Sequence, residues 1–123
     1  MPEHFDASRD LNERARQTVL DLVEFGEMAA RLVGRGQPAY EEDEALQLAA
    51  EALVHRLGEA TARLMRQAPQ LVTAHPEIPW TRLRATRNIV AHEYARIDHA
   101  LLWRALARDV PEMTERLRTL DES

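Results

Sequence analysis

The 123-residue sequence contains no cysteine and no lysine. The first absence excludes disulfides, thiolate metal sites and a cysteine nucleophile, and it suits a reducing cytoplasm. The second makes all 16 basic side chains arginine. Base composition in a GC-rich genome accounts for that bias as well as function does. No run approaches the ~20 apolar residues of a membrane span. The start, Met1-Pro2-Glu3-His4-Phe5-Asp6, has neither a basic patch nor an apolar stretch, so no secretory signal is expected. The four glycines, at 26, 34, 36 and 58, are scattered and form no phosphate-binding loop. There is no His-Glu-x-x-His; His92-Glu93 is only a fragment of it. His92 and His99 would share a face of a continuous helix, but they lack a third ligand, and His55 and His75 stand alone. Neither metal nor cofactor is expected.

What is present fits one cytoplasmic domain, residues 1–123, with frayed ends at 1–7 and 121–123. A chain of this length buries roughly two thirds of its unfolded surface, enough for a real core. The net charge of −5 argues against a general nucleic-acid coat. Locally the balance reverses. Residues 80–108 hold arginines 82, 84, 87, 96, 104 and 108 against Glu93 and Asp98, so one segment can attract phosphate while the whole repels it.

Apolar residues recur at helical spacing almost throughout. Leu11, Ala15, Val19, Leu22, Ala29 and Leu32 predict a helix over about 8–33, closed by a left-handed cap at Gly34-Arg35-Gly36, with Pro38 preventing immediate continuation. Leu46, Ala49, Leu53, Leu57, Ala60 and Leu64 predict a second helix over about 42–67. The acidic run 41–44 sits at its positive dipole end. Prolines 69, 76 and 79 make 69–79 a connector with room for one short turn. Trp80 opens a third helix that carries Leu83 and reaches residue 87. Asp98 is the expected N-cap of the last helix, which Pro111 should kink or split. Trp80 and Trp103 are expected as core or interface anchors. The expected fold is all-α, an antiparallel bundle of four or five helices.

Arg87-Asn88-Ile89-Val90-Ala91-His92-Glu93-Tyr94 concentrates the chemistry. Arginine offers a planar fork of donors to a phosphate, and histidine exchanges protons near neutral pH. At about 100° per residue, Arg87 and Tyr94 share a face, while Arg87 and His92 lie roughly 140° apart. A straight helix therefore cannot aim Arg87 and His92 at one atom. Either the helix ends near His92, or a second copy of the chain completes the site across a two-fold axis. Without a metal, these groups suit RNA cleavage by its own 2′-hydroxyl. A base with a pKa of about 6.5 moves the proton, an arginine stabilises the phosphate charge, and Asn88 orients either group. Glu59, on a helix near the apolar stripe and expected to be buried, could pair with Arg87 or with another arginine. The alternative is an exposed arginine and a satisfied histidine with no catalytic role.

Arg-Asn, three residues, His, one residue, Tyr resembles the signature of the HEPN superfamily, and most closely its HepT-like members. Gly58-Glu59-Ala60, Ile78-Pro79-Trp80, Arg96-Ile97-Asp98, Trp103 and Asp109-Val110-Pro111 extend the resemblance over about residues 10–120, and the motif shows no departure from the family pattern. The resemblance implies an all-helical homodimer with two motifs facing a shared cleft. It also implies a metal-independent ribonuclease acting as the toxin of a type VII-like toxin–antitoxin pair. Matched by position, Arg87 and His92 take the catalytic roles, and Asn88 is the polar residue after the arginine. Tyr94 matches the tyrosine that an MntA-like minimal nucleotidyltransferase antitoxin adenylylates; the plain alternative is a tyrosine that packs beside the motif. AMP on Tyr94 would place a bulky anion beside Arg87. A reading from another class is a catalytically silent helical module that holds a nucleotide as the partner of such a nucleotidyltransferase.

Overall fold

The structure, a computed structural model, describes residues 11–88 and 98–121. Among these, helices and short connectors account for the chain and no strand occurs, as the periodicity predicts. Two long helices, α1 (Glu13–Val33) and α3 (Glu44–Gln67), flank the short α2 (Gln37–Glu42). Two further short helices come next, α4 (Pro69–Ala74) and α5 (Trp80–Ala85). The last stretch joins α6 (His99–Arg104), a π-helical turn (Ala105–Asp109) and α7 (Val110–Asp121). The frayed 1–7 lie outside the described residues, and the first helix starts later than the expected residue 8: Leu11 and Asn12 are not helical, and Glu13 is the first helical residue.

Helix α1 begins where the side chain of Asn12 accepts from the Ala15 N–H at 2.8 Å, satisfying one of the orphan donors of the first turn. Its buried residues Ala15, Val19, Leu22, Ala29 and Leu32 keep the predicted spacing. It ends at Val33, where expected, and the two glycines that follow take different parts. Gly34 stays right-handed at φ −61°, and its N–H continues the helical bonding to the Ala30 carbonyl. The left-handed residue is Gly36, at φ 91°, which N-caps α2. Pro38 does not simply stop the chain: it sits in the first turn of α2, where a missing N–H costs nothing.

The acidic run divides between two helices. Glu41 and Glu42 close α2, Asp43 caps α3 by accepting from Ala45 N–H at 2.9 Å, and Glu44 lies in the first turn of α3. Antiparallel pairing of α1 and α3 is visible in side chains. Thr18, near the start of α1, donates to Gln67 Oε1 at 2.7 Å and accepts from Arg63 Nε at 3.3 Å, both near the end of α3. Leu57, Ala60 and Leu64 are buried as expected, but Ala50 and Val54 take the interior positions upstream. Leu46 and Leu53 are only half-buried and Ala49 is exposed. With Phe25 and Met28 they line an open groove of about 470 Å³. Helix α3 packs on both α1 and α5, and a face wide enough for two neighbours does not follow one straight stripe.

Asp98 caps α6 as predicted, accepting from Leu101 N–H at 3.0 Å. Pro111 does not end the last helix, since helical structure continues over 99–121, but the stretch is divided by the π turn Ala105–Asp109 just before it. The turn just before it widens, and Val110 N–H reaches the carbonyl of Ala105 five residues back. Proline lacks an N–H and its ring crowds the carbonyl four residues earlier; the π turn relieves both at once.

Trp80 is buried and its indole donates to the His75 carbonyl at 2.9 Å. Trp103 is half-buried against the ring of Tyr40, with centroids 5.2 Å apart. Both serve as the expected anchors. Tyr40 is fully buried and its hydroxyl pairs with His99 Nδ1 at 2.6 Å, tying α2 to the first residue of α6. Burial, then the nearby Glu51 carboxylate, push this phenol up to about 12. His75 does not stand alone. It bonds Glu77 at 2.9 Å and, as the largest cause, holds that carboxyl below its ordinary value.

Candidate active site

Helix α5 brings Arg87, the first residue of the motif, onto α3. Leu83 is buried beneath it. The predicted third helix does not run unbroken into the motif: α5 ends at Ala85 and Thr86 forms a turn before Arg87 and Asn88 resume helical geometry. The cause is local. The Thr86 hydroxyl donates to the Leu83 carbonyl at 2.6 Å, and threonine bonding of this kind competes with the helical ladder. The same hydroxyl lies 3.4 Å from the carbonyl of Val54 on α3, so the turn is buried against that helix.

Gly58 makes this approach possible. A β-carbon there would stand 2.8 Å from both the Cβ and the backbone nitrogen of Arg87, and 3.0 Å from the Thr86 hydroxyl. The backbone entering the motif thus rests directly on the backbone of α3. Glu59, one residue on and about 100° round the helix, reaches the guanidinium: Arg87 Nη1 lies 3.2 Å from Glu59 Oε1. Of the two pairings open to Glu59, the structure takes Arg87. Glu59 is not buried, however; its side chain is 50% exposed and that of Arg87 34%.

Asn88 is exposed. His92 and Tyr94 lie outside the described residues, as do the relative placement of Arg87 and His92 and the alignment of His92 with His99. Two of the four sequence-predicted site residues are therefore placed, side by side at the start of the motif. His99 spends its Nδ1 on Tyr40. Among the described residues, no three His, Cys, Asp or Glu side chains gather as a metal site would require, and no helix is long and apolar enough to cross a membrane.

The exposed Arg87–Glu59 pair is worth only about 0–1 kcal/mol. A phosphate can therefore take the guanidinium from Glu59, which holds Arg87 in place without consuming it. Glu59→Gln should shift stability by no more than roughly 0.5 kcal/mol in urea titration. It should also lower the KM for a polyanionic substrate a few-fold, since a competing charge is gone. A loss of stability well beyond that figure, or an unchanged KM, would show that Glu59 serves the fold alone.

A second ion pair links α5 to the π turn. Arg82 Nη2 lies 3.1 Å from Asp109 Oδ1, with the aspartate side chain 11% exposed and the arginine 65%. Asp109 belongs to the π turn. Only its place beside Val110-Pro111 in the sequence hinted at a role.

The chain is similar to several proteins named as ribonucleases. A protein from Methanocaldococcus jannaschii named as an RNase is 42% identical over 38 residues, 31% of this chain and 35% of that protein. One from Thermococcus cleftensis, named as a probable ribonuclease HepT, is 28% identical over 63% of this chain and 68% of its own length. One from Caldanaerobacter subterraneus subsp. tengcongensis, named as an RNase, is 22% identical over 83% of this chain and 87% of its own. The match thus spans about a third of the first relative and most of the other two. No solved structure matches significantly. Residues 22–120, from the middle of α1 to the end of α7, match the family described as ribonuclease HepT-like, and the chain belongs to that family.

Proposed function

We propose that this chain cuts RNA by attack of the 2′-hydroxyl on the adjacent phosphate, and that it serves as the toxin of a toxin–antitoxin pair in the cytoplasm. The observation that carries the reading is Arg87, fixed by Gly58 and Thr86 at the surface of α3 with its guanidinium half-exposed, in a chain of a ribonuclease family. The new bond is 2′-oxygen to phosphorus and the broken bond is phosphorus to 5′-oxygen. The products are a 2′,3′-cyclic phosphate and a 5′-hydroxyl. His92 takes the proton from the 2′-hydroxyl or delivers one to the leaving oxygen. Arg87 binds the non-bridging oxygens as charge grows on them. Asn88 orients one of these groups. RNA rather than DNA is the substrate because the nucleophile is the 2′-hydroxyl.

Two copies related by a two-fold axis would bring two motifs to one cleft. Tyr94 is the regulatory position, adenylylated by an MntA-like nucleotidyltransferase antitoxin. The added phosphate occupies Arg87 and the nucleoside fills the path of the RNA. The chemistry is tested by end analysis. Cleavage in EDTA that leaves 2′,3′-cyclic phosphate ends is expected. Cleavage that needs a divalent cation, or leaves 3′-hydroxyl ends, would contradict it, as would no cleavage at all.

A further inference from the structure

Beside the motif, between α5 and the π turn, lies a concavity of about 160 Å³ whose lining includes Arg82, Thr86, Leu101, Arg104 and Asp109. We infer that it is a subsite for a nucleotide flanking the scissile phosphate, with Arg82 and Arg104 on the phosphate and Leu101 against the base. The inference rests on the ribonuclease reading for its substrate class, but it stands on different residues.

Asp109 is a nearly buried carboxylate, and a buried charge is costly unless paired. Its partner Arg82 is held at one Nη while the rest of its guanidinium remains in solvent. A guanidinium has five N–H donors, so the pair fixes Arg82 at the rim and leaves donors to spare. Arg104 is exposed on α6 and lines the same concavity. Two arginines thus line it against the single carboxylate of Asp109, in a chain whose net charge is −5, and that local excess of positive charge suits an anion.

The floor is apolar. Ala85 and Ala105 line it, and Leu101 is 42% exposed, although it is a large hydrophobic side chain. Cations around an exposed apolar surface suit a nucleotide better than an inorganic ion, because a splayed base needs a flat apolar contact and its phosphate needs arginine. Position fits as well. Thr86 both lines this concavity and packs against Gly58, one residue before Arg87. Arg82 and Ala85 also line a second concavity, together with Val72, Pro79 and Trp80. Two concavities that share Arg82 give a strand more than one nucleotide's worth of surface along α5.

Binding of a short 2′-O-methyl RNA, which cannot be cleaved, tests this without relying on catalysis. Arg104→Gln should weaken binding about fivefold and reduce the slope of log K against log salt by about 0.7, the value for one lost single-strand phosphate contact. Arg66→Gln removes the same charge from an exposed position outside this concavity and should leave affinity and slope nearly unchanged. Equal losses in both variants would reduce the effect to net charge and overturn the subsite. So would unchanged binding in Arg104→Gln. Sedimentation separates the remaining case: if Arg104→Gln dissociates a dimer, the concavity is an interface between copies and not a nucleotide site. Wild-type protein that binds this RNA with the predicted slope but never cleaves the unmodified strand would remove the ribonuclease reading and leave the subsite standing.

Discussion

Replacing His92 with alanine should reduce RNA cleavage by a factor on the order of 10²–10⁴, the usual contribution of a positioned general acid or base, while leaving the unfolding transition in place. No other residue of the motif exchanges protons near neutral pH: arginine remains charged, amide nitrogen does not titrate, and an ordinary phenol titrates near 10. Arg87→Ala should act on the same step through the phosphate charge, lowering kcat by about 10²–10³. The double variant should then lose much less than the product of the two, since groups that act together on one transition state are not additive. Initial rates on a labelled RNA in EDTA, paired with circular dichroism melts, decide the matter. A His92→Ala protein that is folded and retains wild-type rates would remove this mechanism.

Gly58→Val should damage both the fold and the site. The first added carbon would already stand 2.8 Å from the backbone nitrogen of Arg87, and backbone cannot swing aside as a side-chain end can. Overpacking of this kind costs about 1–3 kcal/mol, and a branched side chain lies at the upper end. For a domain of this size each kcal/mol lowers Tm by about 4 °C. The second consequence is functional. Arg87 must move away from α3 to relieve the contact, and a misplacement of about 1 Å can cost 10²-fold in rate. Gly34→Ala is the matched control: Gly34 is right-handed, at φ −61°, and a β-carbon there meets the backbone only at 3.3 Å. Tm and kcat measured on both proteins should therefore separate them. A Gly58→Val protein as stable and active as Gly34→Ala would mean that the close approach of Arg87 to α3 carries no weight.

The parts legible in the sequence are those that local physics decides. The α1 face, the cap at Asp98 and the end of α3 at Gln67 come from periodicity and side-chain chemistry that act within a turn or two. Tertiary contacts decide what was misread. Leu46, Ala49 and Leu53 have the right spacing for a core stripe, but the interior lies toward Ala50 and Val54 because α3 serves two neighbours. At the site, the charges of Arg87 and Glu59 made their pairing conceivable. The close approach of Gly58 to Arg87 joins residues 29 positions apart, and no periodicity reports it. Tyr40 and His99 meet across an even longer interval, with no motif to announce the contact.

The π turn at Ala105–Asp109 also governs which changes of length the last helix can tolerate. A hydrogen bond spanning five residues where four would serve holds one extra residue inside the cylinder. In an ordinary helix an added residue rotates everything beyond it by about 100°. Here the wide turn absorbs that rotation, and Met113 and Leu117 still face the core they fill. Deleting one residue within the turn should therefore keep these side chains in phase. Its cost falls instead on Pro111, whose ring regains its clash, and on the meeting of Asp109 with Arg82. Deleting one residue between Pro111 and Met113 has no such buffer and would swing both apolar side chains toward solvent. The turn acts as an expansion joint, and its position sets where this helix can change length without losing its grip on the bundle.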